Sequence, residues 1–204
     1  MSAPDELARR RSARPRGRRP GGEDTRRLIV DAARDQFAAV GYDAASLRGI
    51  ARAAGVDAAL VHHYFEGKSE LFVAALELPA NPRDIVASVL EGGADGIGER
   101  MARFFFVVWD SPAGRDRIRA LLRSASAHED AARMLREFLS REIFGRVVAE
   151  LGTPDGDLRA GLAAGQMIGL AFLRYVVQLE PVASTPVDEL VAWLGPTLQR
   201  YLAG

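Results

Sequence analysis

Two adjacent histidines, a tyrosine and a lysine lie within seven residues and have the side chains best suited to contact a nucleic acid. His62, His63 and Tyr64 end a short apolar segment, and Lys68, the single lysine of the chain, follows shortly after. Imidazole nitrogens can donate or accept at base edges and phosphates, while a phenol and an ammonium donate to phosphate. The apolar segment itself contains no arginine or lysine, so it cannot supply the bidentate guanine contacts typical of arginine.

The sequence around these residues predicts three helices joined by tight turns. Apolar residues recur every three or four positions from Thr25 to Val40, which indicates an amphipathic helix that ends at Gly41. Ser46 is the predicted N-cap of a second helix, and Asp57 the predicted N-cap of a third. The pattern predicts a helix-turn-helix with both histidines on its second helix.

The segment that begins at Ser46, SLRGIARAAGVDAALVHHYFEGKSELF, resembles the DNA-binding head of the TetR family of bacterial transcriptional regulators. A hydroxyl residue, an apolar residue and an arginine are followed by an Ala-Gly-Val turn, a His-Tyr-Phe end and a Lys-Ser pair. The resemblance covers about residues 25–78, and the rest matches in architecture only. Leu60 departs from the family pattern, which often has a hydroxyl residue there, and His62 replaces its usual first aromatic.

The expected DNA contacts divide into two groups, and the resemblance implies the first, the phosphate contacts. Hydroxyls, a guanidinium and an ammonium suit phosphates, and phosphate contacts are expected from Ser46, Arg48, Tyr64 and Lys68. Base-edge contacts are expected from Ala58, Ala59, His62 and His63. Adjacent helical residues point about 100° apart, so only one of the two histidines can face the groove squarely.

Positive charge is concentrated in an N-terminal arm, residues 1–24. The whole chain has 27 basic and 27 acidic residues and a formal net charge of zero, so a potential that attracts DNA must be local. Prolines and glycines among the arginines of the arm predict disorder. An arm beside a recognition helix can enter the minor groove, and the candidates are Arg14, Arg16, Arg18 and Arg19. The alternative is a solvated tail without a role.

The rest of the chain is predicted to be helical throughout. Prolines and glycines divide residues 79–204 into helical segments, and no segment alternates with a period of two. The predicted fold class is therefore all-α. An N-terminal three-helix helix-turn-helix DNA-binding domain, residues 25–78 with its linker helix, is followed by a helical C-terminal ligand-binding and dimerisation domain, residues 79–204.

A ligand cavity is predicted around the segment from Ile97 to Trp109, which is apolar on more than one face. Either this is a central core helix only, or its second face lines a cavity, as its counterpart does in the resembled family. Methionine and aromatic side chains suit adaptable pockets, and the candidates are Met101, Phe105, Trp109, Arg123, Phe138, Met167 and Tyr175. The expected effector is an unidentified small molecule.

A dimer interface is predicted from three glycines spaced by four residues. Each glycine inside a helix costs about 1 kcal/mol relative to alanine, a cost that close approach of another helix can offset. Two helices of each subunit are predicted to pair with their symmetry mates in a four-helix homodimer interface. The predicted interface residues are Gly161, Gly165, Gly169, Leu190 and Leu194. The alternative is that the glycine stripe packs within one chain.

Several classes of function are disfavoured. The absence of cysteine excludes disulfides, thiolate catalysis and cysteine zinc sites. His128 beside Glu129 and Asp130 is the one tempting cluster, but consecutive helical positions do not converge on a metal, so no catalytic residue, metal or cofactor is predicted. The apolar segment from Ala160 to Leu173, bounded by arginines, is predicted to be too short for a bilayer. A cytoplasmic protein associated with the bacterial nucleoid, without a membrane partner, is expected.

The predicted function is a ligand-responsive, sequence-specific transcriptional regulator, most often a repressor, that binds a palindromic operator in double-stranded DNA as a homodimer. The linker helix from Ser69 to Leu78 is the expected lever between the two domains. An architectural DNA-binding protein without an effector is one alternative, and a helical enzyme is another.

Overall fold

The computed structural model describes residues 22–204, and every regular element among them is helical, which confirms the predicted fold class. The first four helices form the head: α1 (Gly22–Ala44), α2 (Leu47–Ala54), α3 (Ala58–Tyr64) and α4 (Lys68–Leu76). The next elements are α5 (Pro82–Leu90), α6 (Ile97–Trp109), α7 (Pro112–Ala127), α8 (Glu129–Phe138), the π-helical π1 (Leu139–Phe144) and α9 (Gly145–Leu151). The last are α10 (Gly156–Ala171), the π-helical π2 (Phe172–Val177) and α11 (Val187–Leu202).

The break at the end of α1 is the predicted one. Gly41 has φ 83° and ψ 176°, a backbone conformation that residues other than glycine rarely adopt, so the regular helix stops there. Tyr42 then folds back into the head. It is 1% exposed, and its ring centroid lies 5.8 Å from that of Phe37.

The two predicted caps set the geometry of the helix-turn-helix. The Ser46 hydroxyl accepts a hydrogen bond from the Gly49 amide at 3.1 Å at the start of α2, and the Asp57 carboxylate accepts one from the Ala59 amide at 2.7 Å at the start of α3. Gly55 has φ 67° in the turn between them. Each cap satisfies an amide at a helix start that has no partner within the helix.

In the C-terminal region α6 packs along α11 at close range. A Cβ added to Gly98 would lie 2.2 Å from the Gly195 carbonyl oxygen, so glycine is required at this crossing. The hydrophobic core is continuous from Ile29 in the head to Leu202 in α11. The predicted domain boundary after residue 78 stays a prediction. Leu78 packs against this core, which both predicted domains share.

The apolar helix near the C-terminus is longer than predicted. It runs for 22 residues from Gly156 to Val177, so the predicted segment length is wrong. By length and composition alone it is the one helix among residues 22–204 that could cross a membrane, a test that the core helix of a soluble protein also passes. The helix also includes Arg159, which donates to the Arg200 carbonyl at 3.1 Å, and Arg174, which forms a buried ion pair. Only a third of its most apolar window is buried within one chain, which leaves an apolar face for another partner.

Candidate DNA interface and ligand cavity

The recognition helix α3 presents an open face with the residues that were predicted for base contacts. Val61 is fully buried and anchors the helix, whereas Ala59, His62 and His63 are exposed and Ala58 is half-buried. Ala58 and His62 are four residues apart, as are Ala59 and His63, so each pair lies along one side of the helix. Small and imidazole side chains therefore line two adjacent strips that a major groove can accept.

The start of α2 adds an exposed basic surface. Ser46 and Arg48 are both exposed, as a phosphate contact requires. Arg52 is also exposed, and neither arginine forms an ion pair with any residue in the described range 22–204. The DNA contacts predicted from the sequence do not include Arg52. Its position four residues after Arg48 is the signal that puts both guanidinium groups on the same side of α2.

Lys68 has a structural role that the sequence prediction missed. Its Nζ donates to the backbone carbonyls of Tyr42, Asp43 and Ala45 at 2.9, 3.2 and 3.2 Å. An ammonium has three donors, and all three are used. The same group lies 4.5 Å from the centroid of the Tyr42 ring. The Lys68 side chain therefore caps the end of α1, and its contact with phosphate stays a prediction.

The end of α3 lies beside the point where the N-terminal arm joins the head. Tyr64 is half-buried, and a Cβ added to Gly22 would lie 3.2 Å from its hydroxyl oxygen. An arm that leaves the head here starts at the end of the recognition helix. The four arm candidates, Arg14, Arg16, Arg18 and Arg19, lie outside the described residues.

A cavity of about 110 Å³ lies between the exit of α4, α6, α7 and π1. Five predicted residues line it: Met101, Phe105, Trp109, Phe138 and Met167. Sequence reasoning missed the contribution of π1, whose Leu139, Ile143 and Phe144 form part of the wall. A π-helical turn is a one-residue insertion that periodicity does not reveal, and such turns occur frequently at functional sites.

Two predicted pocket residues lie elsewhere. Arg123 is exposed on α7 and does not line the cavity. Tyr175 is 2% exposed and packs in a separate cluster with Ile118 and Leu122. Neither residue lines the cavity, so both predictions are wrong: Arg123 faces solvent, and Tyr175 is buried behind Ile118 and Leu122, which do line it.

An ion pair next to this cluster fastens the segment that leads into α11. Arg174 is 7% exposed and makes a two-pronged contact with Asp110, whose oxygens lie 3.3 and 3.1 Å from its Nε and Nη2. The Nη1 of Arg174 donates to the carbonyls of Val182, Ala183 and Thr185 at 2.8, 3.2 and 3.0 Å. One guanidinium therefore joins the end of α6 to the chain that precedes α11.

The charges of this pair are mutually stabilised. Burial by itself raises the pKa of Asp110, but hydrogen bonds and charge from Arg174 outweigh it and hold that pKa below its ordinary value. For Arg174, burial lowers the pKa, and the contact with Asp110 more than restores it. Burial raises the pKa of the Tyr175 hydroxyl, and the nearby Asp110 carboxylate raises it further. The Tyr175 hydroxyl has no hydrogen-bond partner in the described structure.

An apolar face on α10, π2 and α11 points out of the chain. A Cβ added to Gly161, Gly165 or Gly169 would meet no atom of residues 22–204 within 4 Å, so the stripe does not pack against the described part of its own chain. Large apolar side chains on the same elements are exposed, namely Leu158, Leu162, Phe172, Val177 and, at 77%, Trp193. Leu190 and Leu194 are 8% and 5% exposed and belong to the core of the chain. Their prediction as interface residues is wrong, and Trp193 is the exposed large apolar residue of α11.

Family comparisons match both halves of this architecture. The model of the bacterial regulatory proteins of the tetR family matches residues 29–75, and the model of the tetracyclin repressor-like C-terminal domain matches residues 95–202. The chain belongs to the TetR family. It is therefore a helix-turn-helix transcriptional regulator of a family that binds DNA, and the enzyme alternative is wrong because these regulators are not enzymes.

Individual relatives span most of the chain. The HTH-type transcriptional regulator BetI of Brucella anthropi is 31% identical over 160 residues, which cover 74% of this chain and 81% of the relative. BetI of Agrobacterium fabrum is 29% identical over 175 residues, or 81% of this chain and 84% of the relative. A crystal structure of a TetR-family regulator from Streptomyces coelicolor A3 has 40% sequence identity and a TM-score of 0.48, and covers 92% of this chain and 99% of that one.

Proposed function

We propose that this TetR-family regulator is a homodimeric repressor that binds a palindromic operator and leaves it when a small-molecule effector occupies the cavity. It acts in the bacterial cytoplasm on the nucleoid. The observation that carries the proposal is the position of the cavity, whose wall includes Leu78, Pro79 and Ala80 at the exit of α4. A ligand there touches the chain that joins the effector region to the DNA-reading head.

The homodimer is supported by the exposed apolar face of α10, π2 and α11. Soluble monomers rarely expose a contiguous apolar patch of this kind, whereas a symmetric partner can cover it with the same surface. The stripe of Gly161, Gly165 and Gly169 allows two helix backbones to approach closely. Pairing of these elements with their symmetry mates forms a four-helix contact.

Operator binding is supported by the open face of α3 and the exposed arginines of α2. In a dimer, two recognition helices enter successive major grooves about 34 Å apart, so the operator is a palindrome with that spacing. Ser46, Arg48 and Arg52 hold the phosphates, and Ala59 with one histidine contacts base edges. The arginine-rich arm adds minor-groove and phosphate contacts.

Release by an effector is supported by the contacts that fix α4. Arg34 of α1 donates to the Ala75 carbonyl at 3.0 Å, and Arg117 of α7 pairs with Glu77 at the end of the same helix. The C-terminal end of α4 is thus attached both to α1 in the head and to α7 in the effector region. The dimer can bind DNA only when its two recognition helices are spaced to enter successive major grooves. A ligand that binds better to a dimer with more widely spaced recognition helices lowers operator affinity by a coupling of about 1 to 3 kcal/mol.

Genomic footprinting of bound sites, followed by binding of the recovered duplex in vitro, tests the proposal. We expect one palindromic site per dimer and a dimer by sedimentation, and a metabolite extract that weakens binding at least about fivefold. Binding without sequence preference would favour the architectural alternative. A monomer that binds the operator at full affinity would contradict the proposed symmetry.

A further inference from the structure

The cavity offers a ligand only apolar side chains. Among residues 22–204, its wall contains no carboxylate, guanidinium, ammonium, imidazole, hydroxyl or side-chain amide, and the side-chain heteroatoms there are the sulfurs of Met101 and Met167 and the indole nitrogen of Trp109. The nearby guanidinium of Arg174 cannot turn toward a ligand, because Asp110 and three carbonyls already hold it. A bound charge would therefore have no partner.

We infer that the effector is an uncharged, largely apolar molecule of about the size of one substituted aromatic ring. Burying an unpaired charge in such a site is strongly unfavourable, while apolar surface is transferred there favourably. The volume of about 110 Å³ is in the range of the apolar cavity of about 150 Å³ that accepts benzene. The inference rests on the proposal that this cavity holds the effector.

Three probes of matched shape test the ligand class on the full-length protein: toluene, benzylammonium and benzoate. Titration calorimetry should show that toluene binds at least about tenfold more tightly than either charged probe. Ala80→Phe, which adds a ring to a residue of the cavity wall, should weaken toluene binding about tenfold. The control Ala38→Phe, on the exposed side of α1, should leave it unchanged.

Equal or tighter binding of a charged probe would overturn the inference, as would no binding of toluene or an unchanged affinity in Ala80→Phe. Binding of the selected operator duplex by the same samples without any probe separates the two proposals. Operator binding with failed toluene binding refutes the ligand class alone. Loss of both refutes the proposed function.

A different set of contacts points to how the cavity communicates with the head. Phe138 at the end of α8 lines the cavity, and its ring centroid lies 4.4 Å from that of Phe72 and 5.6 Å from that of Tyr42. Phe72 and Tyr42 are both fully buried in the head. One ring is thus shared between the cavity wall and the head core.

Polar contacts from α8 and π1 converge on residues 40–45, the α1–α2 junction. The Tyr42 hydroxyl donates to the Glu142 carboxylate at 2.6 Å, and the Asp43 amide donates to Glu137 at 2.9 Å. Arg133 donates to the Val40 carbonyl at 2.8 Å. Arg141 also pairs with Asp43 at 3.1 Å. The junction is therefore held by four side chains that follow one another along the helix that forms the cavity wall.

We propose that this contact is a second route of coupling beside α4, in which the state of π1 sets the position of the α1–α2 junction. Ser46 and Arg48 come directly after the junction, so a shift there moves the phosphate-contacting end of α2. The π-helical turn is suited to this role because such turns occur frequently at functional sites. Like the first inference, it rests on the proposed function.

Hydrogen exchange of the full-length protein with and without an operator duplex chosen by in vitro selection tests this route. By reciprocity, DNA binding should increase protection of the amides 139–146 about fivefold or more in the wild-type protein. Tyr42→Phe keeps the ring and removes the hydrogen bond to Glu142, so this distant response should be lost while DNA affinity stays within about twofold. The control Tyr201→Phe should keep the response.

The route is refuted if DNA protects α3 but not the amides 139–146 of the wild-type protein. It is also refuted if Tyr42→Phe keeps the full response, or if Tyr201→Phe loses it equally. A protein that binds no selected duplex refutes the proposed function instead. A Tyr42→Phe protein that fails to fold is replaced by Glu142→Gln, for which the same loss of response is expected.

Discussion

Replacing Trp193 with alanine should dissociate the dimer. The side chain is 77% exposed in one chain, which for a tryptophan of roughly 200 Å² leaves about 150 Å² to be covered by a partner. We assume that the dimer buries half of this area in each of its two copies. At about 25 cal/mol per Å², and after allowing for the alanine that remains, the substitution then removes roughly 3 kcal/mol from the free energy of dimerisation. The dissociation constant of the dimer should therefore rise by about a hundredfold.

Analytical ultracentrifugation across a concentration series measures this constant directly. Gly165→Leu should act in the same direction, because a side chain at that position meets nothing in one chain but obstructs a helix that approaches closely. Leu28→Ala is the control, since it removes an exposed apolar side chain from α1, outside the proposed interface. An unchanged dissociation constant in both Trp193→Ala and Gly165→Leu would refute the assignment of this face to the dimer.

Three further predictions concern Lys68, the pair of Asp110 with Arg174, and the N-terminal arm. Lys68→Met should lower the free energy of unfolding by about 1.5 to 3 kcal/mol in urea denaturation, because three carbonyls at the end of α1 lose their donor, and no change would contradict this role. Because Arg174 holds the pKa of Asp110 below its ordinary value of 3.8, stability from the pair is present above that pH and is lost as the pH falls through the lowered pKa. Asp110→Asn should flatten this acid loss, and an unaltered pH profile would exclude the pair as its source. If about three arginines of each arm contact phosphates in the dimer, deleting residues 1–20 should reduce the slope of log affinity against log salt by about five. An unchanged slope would show that the arm does not contact phosphates.

Features that depend on neighbours in the sequence were predictable. Gly41, Ser46 and Asp57 end or begin helices through bonds and torsions within three residues, so their roles follow from the local pattern. The recognition helix was found in the same way, because its turn, cap and apolar anchor lie within one short segment.

Features that depend on distant contacts were not predictable. Lys68 binds carbonyls 23 to 26 residues earlier, a pairing that no local pattern indicates. Leu190 and Leu194 share their helix with Trp193, and periodicity does not tell which apolar face meets the core of the same chain and which meets a partner. Tyr175 was assigned to the cavity by residue type, but its direction depends on the π-helical turn in which it lies.

Competition binding tests the central claim most directly. The full-length protein should be mixed with a labelled duplex recovered by selection and with an excess of scrambled duplex, at a stated salt concentration. The account predicts that one dimer holds a palindrome with half-sites about 10 base pairs apart, at least about a thousandfold more tightly than the scrambled sequence. Equal affinity for both duplexes would contradict it.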